Sequence, residues 1–69
     1  MKITYDKEAD AMFIEFGSGE FASNKKIDNS TIIDLDKKGN ILGIELLNVS
    51  KRMSKEALSN VSVNNLVCS

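Results

Sequence analysis

Residues 31–48 read TIIDLDKKGNILGIELLN, and this stretch decides the fold. Residues 31–36 and 41–48 are the strongest strand signals in the chain. Between them lies Lys37-Lys38-Gly39-Asn40, with glycine where a left-handed backbone is needed, so the pattern is a β-hairpin. Its register can be argued, because a slip of one residue moves every side chain to the other face. A three-residue loop, 37–39, would set Leu42, Ile44 and Leu46 on the face of Asp34 and Asp36. A four-residue loop, 36–39, gathers Ile33, Leu35, Leu42, Ile44 and Leu46 on one face and leaves Asp34 and Glu45 on the other. Burying aliphatic side chains at about 1.5–3 kcal/mol each outweighs any difference between two loop types, which favours the four-residue loop.

Upstream, residues 2–5 alternate polar and apolar, and residues 10–16 (DAMFIEF) are aromatic and branched. Both are predicted strands, joined by the acidic turn Asp6-Lys7-Glu8-Ala9. After the break Gly17-Ser18-Gly19-Glu20, residues 22–28 form a weaker, lysine-bearing strand of the kind that suits a sheet edge. Downstream, Ser54 is a good N-cap, Glu56 sits where the helix dipole favours a carboxylate, and Met53 and Leu58 stand at staple positions. A helix of about two turns is expected, ended by Asn60, with a short extended segment at Val61 and Val63. The expected fold class is α+β: an antiparallel β-meander of four to five strands with one short C-terminal helix packed on it, a single domain over residues 1–69.

The chain has 69 residues, 42% hydrophobic and 28% charged, an ordinary composition for a soluble globular domain. A chain this short buries only about 60% of its unfolded surface, so its stability is thin and a second subunit or partner would add to it. Nine basic and ten acidic residues give a net charge of −1, too weak a field to draw the chain onto nucleic acid or an anionic membrane. There is no histidine, which removes the usual base for a Ser or Cys nucleophile and the commonest transition-metal ligand. The single cysteine, Cys68, allows no internal disulfide, and the N-terminal residues show no long apolar signal segment. A cytoplasmic location is the expectation.

Residues 34–45, DLDKKGNILGIE, fit several positions of a calcium-binding helix–loop–helix: Asp34 and Asp36 as ligands 1 and 3, Gly39 at 6, and Glu45 at 12. Lys38 falls on ligand position 5, where an ammonium repels the cation, and the flanks are strands, so an ordinary hairpin turn is preferred. Asp34, Asp36 and Glu45 remain the candidates for a weaker acidic metal patch. Asp6, Glu8 and Asp10 bracket the first turn and would join that patch for metal-assisted or acid–base chemistry if the hairpins packed closely. Turn chemistry is the simpler role, Asp6 accepting backbone N–H bonds from Glu8 or Ala9. The doublets Lys25-Lys26, Lys37-Lys38 and Lys51-Arg52 have no interleaved aromatics and suit solvated surface. Phe13 and Phe16 fall on opposite faces of one strand, so a single core layer cannot cover both. With Met12 and Phe21 they are the candidate interface residues.

Tyr5-Asp6, Asp10-Ala11, Ile14, Asp34-Leu35-Asp36, Gly39 and Gly43-Ile44-Glu45, followed by Ser50-Lys51, together resemble the pattern of a short bacterial and archaeal family, domain of unknown function 2283. The likeness runs from Met1 to Lys51, with Phe13 where the family commonly has tyrosine. It implies a small protein of bacterial or mobile-element genomes, and the association of some relatives with small toxin genes implies an antitoxin-like or other regulatory partner; a small inhibitor from a mobile element is a further form of the same binding role. In physical terms the shared residues look structural: Gly39 for a left-handed turn, Gly43 for a bulge or close approach, and Asp6, Asp10 and Asp36 for turn hydrogen bonds. The function expected is a non-catalytic protein-binding or regulatory module, a homo-oligomer with a protein partner and no cofactor. The alternative is an acidic-site metal-binding or hydrolytic protein.

Overall fold

Branched and aromatic runs alternate with Asp, Gly and Asn turns over the first two-thirds of the chain, and each run becomes a strand. The computed structural model describes residues 1–64 and 66–68. Its strands are β1 Lys2–Asp6, β2 Ala11–Glu15, β3 Ser23–Asp28, β4 Thr31–Leu35 and β5 Ile41–Leu47. Two helices follow, α1 Val49–Arg52 and α2 Lys55–Asn64, and then a short strand β6, Leu66–Cys68.

The fold is the expected α+β type, an open antiparallel sheet with a short C-terminal helix. Its strand order is β3-β4-β5-β2-β1-β6. The hairpin β1–β2 and the three-stranded meander β3–β4–β5 are joined by pairing of β2 with β5. β6 adds to the free side of β1 in parallel.

The β4–β5 connection sorts its side chains by a different device from the expected four-residue loop. Asp36 N–H donates to Asn40 O, and Gly39, at φ 85°, donates its N–H to Asp36 O, so the loop is the three-residue 37–39. That loop alone would have put the aspartates with the aliphatic residues. A bulge corrects it: Leu35 pairs with Ile41, but Asp34 pairs with Gly43 and Ile33 with Ile44. Ile33, Ile44 and Leu46 therefore share a face, with Asp34 and Glu45 on the other, as the burial argument required. Leu42, the extra residue, is the exception. It packs against Gly19 and lines a hollow with Phe13 and Asp34, on the opposite side from Ile44.

The core is small. Among the described residues, Tyr5, Met12 and Val49 are the buried hydrophobic side chains, and Ile3, Ile14, Leu46, Met53, Leu58 and Val61 pack on them. Met12, 3% exposed, packs in this core on the helix side of the sheet. Ser54 caps α2 as expected, its Oγ accepting from Ala57 N–H at 3.0 Å. The helix does not stop at Asn60, and residues 61–63 are helical instead of extended. Packing of Val61 on the core outweighs the weak stop signal of one asparagine. Among the described residues no helix is long and apolar enough to cross a membrane. The expectation for the Cys68 thiol falls outside the described side chains.

Candidate functional site

Two surfaces carry the chemistry-bearing residues: the turn end of the sheet around α1, and the sheet face turned away from α2.

At the turn end, Asp10 adopts a left-handed backbone, φ 53°, and so closes the β1–β2 turn instead of opening β2. An aspartate tolerates that conformation through its short polar side chain. Its carboxylate reaches across the chain: Ser50 Oγ donates to Oδ2 at 2.7 Å, and Ser50 N–H and Tyr5 OH donate to Oδ1 at 3.0 and 3.2 Å. Val49 N–H donates to Asp10 O at 3.0 Å. The Ser50 hydroxyl bond is the main reason the Asp10 carboxyl titrates below its ordinary value. Burial and the neighbouring Asp10 raise that of Tyr5.

The other end of α1 is tied to the β3–β4 turn. Arg52 Nη1 donates to Ser30 O at 2.6 Å and Nη2 to Thr31 Oγ1 at 2.9 Å. Asp28 accepts from Ser30 N–H at 2.8 Å, the leading cause of its own lowered pKa. One short helix thus pins the β1–β2 and β3–β4 turns. This clamp was not foreseen from the sequence: Ser50 lies forty residues from Asp10, and a single chain gives no local signal for such a pair.

The metal candidates separate. Asp36 turns into its own loop, accepting from Lys38 N–H and Asn40 N–H at 2.9 Å each and from Asn40 Nδ2 at 3.1 Å. The Asn40 bonds hold its carboxyl below the ordinary range. Asp34 and Glu45 stand instead on the open face, lining a shallow hollow of about 330 Å³ with Thr4, Asp6 and Phe13. Among the described residues no group of three or more metal-ligating side chains is placed to hold an ion. Asp6 also performs the turn role expected of it, accepting from Glu8 and Ala9 N–H at 3.0 and 3.2 Å.

Phe13 is the centre of the open face. Gly43 on the neighbouring strand lets its ring come close to the backbone: an added Cβ would stand 2.9 Å from Phe13 Cζ and 2.8 Å from Ile14 O. A second hollow, of about 310 Å³, begins on the far side of the ring, bounded by Asp34, Leu42 and Phe21. Phe16 and Phe21 are 46% and 57% exposed. The face therefore offers a half-buried aromatic ring between carboxylates, with further apolar side chains at its margin.

A family model described as Protein of unknown function (DUF2283) matches residues 2–50, a segment that includes all five antiparallel strands and ends on the Asp10 partner Ser50. No curated protein and no solved structure matches the chain.

Proposed function

The chain belongs to the DUF2283 family, and from that premise we propose that it is a non-catalytic protein-binding module that acts through its sheet. The observation that carries the reading is the shortage of cover: among the described residues, three buried hydrophobic side chains stand against Phe16, Phe21, Ile27 and Ile41, each roughly half exposed or more. Its accessible surface is 4875 Å², where a compact monomer of 7.6 kDa has about 4,300 Å². The extra surface includes apolar side chains whose burial against a partner is favourable.

The residues matching the family pattern support the same reading, because they build the scaffold. Tyr5, Asp10 and Ser50 form the clamp, Asp36 and Gly39 the turn, and Gly43 the seat of Phe13. An antitoxin-like regulatory role is the form of the proposal that the family resemblance implies, and an inhibitor acting in the cytoplasm is another form of it. It requires only that the sheet clasp another protein. Affinity purification of the tagged full chain from its native host tests it: a protein recovered in stoichiometric amount and lost on Phe13→Ser or Phe21→Ser is expected. Recovery of nothing in stoichiometric amount would defeat the proposal.

A further inference from the structure

Two carboxylates of the open face differ from the aspartates of the turns. Asp6, Asp10, Asp28 and Asp36 each accept a backbone N–H bond. The side chains of Asp34 and Glu45, both half-buried, meet no donor and no cation among the described residues. Pairing places them beside Phe13. Thr4, Phe13, Glu45 and Ile32 stand in one row across β1, β2, β5 and β4, which ends at Lys26 on β3. The adjoining row is Lys2, Glu15, Gly43, Asp34 and Asn24. Its Lys2 lies across from Glu15 at the corner of the sheet, and Lys26 is on the edge strand. Both lysines are exposed, and neither borders the hollows on the two sides of the Phe13 ring, which are lined by Asp6, Glu15, Asp34 and Glu45.

We infer that this face docks an arginine-bearing segment of a partner protein, with the guanidinium over the Phe13 ring between Asp34 and Glu45. The inference rests on the binding-module reading and names the partner's chemistry. A partner that covers Phe13 also strips water from the two carboxylates, and a neutral or acidic surface would leave them buried without a counter-charge. A cation satisfies both. The acids are not gathered closely enough to hold a metal ion. The cation that fits has its charge spread over a plane, carries N–H donors along its edge and stacks on an aromatic face, which describes a guanidinium better than an ammonium. Phe13 supplies that face. The hollows on its two sides, about 330 and 310 Å³, are both bordered by Asp34, so a guanidinium entering from either one reaches a carboxylate.

NMR titration of the isotope-labelled full chain with a short, end-blocked peptide carrying arginine tests the inference, beside the same peptide with citrulline, the neutral urea of the same shape. The expected result is saturable shifts at Thr4, Phe13, Asp34 and Glu45, with the citrulline peptide about tenfold weaker. Asp34→Asn combined with Glu45→Gln should weaken the arginine peptide about tenfold, Phe13→Leu about threefold, and Glu56→Gln, on α2, should leave it unchanged. The two peptides are compared on unaltered protein, so a variant that fails to fold does not remove the test. Equal binding of both peptides, no binding at about 5 mM, or shifts centred away from Phe13 would overturn the inference. So would a partner from the native host that is lost on Phe13→Ser yet kept by the Asp34→Asn, Glu45→Gln protein, a result that leaves the binding-module reading standing. Recovery of no protein defeats that reading itself, whatever the peptides do.

Discussion

Gly43→Ala puts one methyl group where the sheet has no room for it. The new Cβ would lie 2.8 Å from Ile14 O and 2.9 Å from Phe13 Cζ, against ordinary contacts of 3.4 Å or more. The ring has somewhere to go, because it borders an open hollow. The carbonyl does not, since Ile14 is held between β1 and β5 on both sides. Overpacking of this kind costs about 1–3 kcal/mol. Replacing glycine also restricts the unfolded chain and returns about 0.4–1 kcal/mol. The net loss is about 1–2 kcal/mol, which for a domain of this size lowers Tm by about 5–15 °C. Thermal melts followed by circular dichroism measure it. In a Phe13→Leu background the same substitution should cost less, because one of its two close contacts is gone. A Gly43→Ala protein that melts at or above the unsubstituted chain would refute the claim that glycine is there for close approach.

Acid should loosen the molecule at its turns. Asp10, Asp28 and Asp36 all titrate below the ordinary aspartate value of 3.8 when folded, so their contribution stands in full above that value and is lost as pH falls through the lowered ones. Tm should stay level from about pH 7 to about pH 5 and fall below about pH 4, and Asp10→Asn should show a smaller fall. Melts at constant ionic strength check this, and a Tm unchanged down to about pH 2 would contradict it. Ser54→Ala removes the acceptor for Ala57 N–H and should cost about 1 kcal/mol, with amide exchange rising first in the opening turn of α2. Equal exchange rates in the two proteins would show that the cap contributes nothing.

Much of the scaffold was legible because its causes are local. Asp6 and Asp36 accept bonds from backbone two to four residues ahead, a distance any turn rule covers. Gly39 and Ser54 act within their own loop and first helical turn. The open face was half legible. Asp34 and Glu45 stand together as expected, but Asp36, expected with them by strand alternation, lies one residue past the end of β4 and turns into its own loop. Met12 was set with its neighbour Phe13 as an interface residue, although adjacent strand residues must point to opposite faces, and here Met12 takes the core.

From the amino acids alone came the five strands, both hairpins, the capped helix and the aspartates that shape the turns. Each depends on residues a few positions apart, where backbone sterics and short hydrogen bonds decide. Only the folded chain settled that β2 lies beside β5, that a bulge sends Leu42 to the far side, that α1 clamps Asp10 and Ser30, and that the Phe13 face stays open. The β2–β5 pairing and the Asp10–Ser50 clamp join segments about thirty to forty residues apart, where no local preference chooses among registers and the burial of a very small core does.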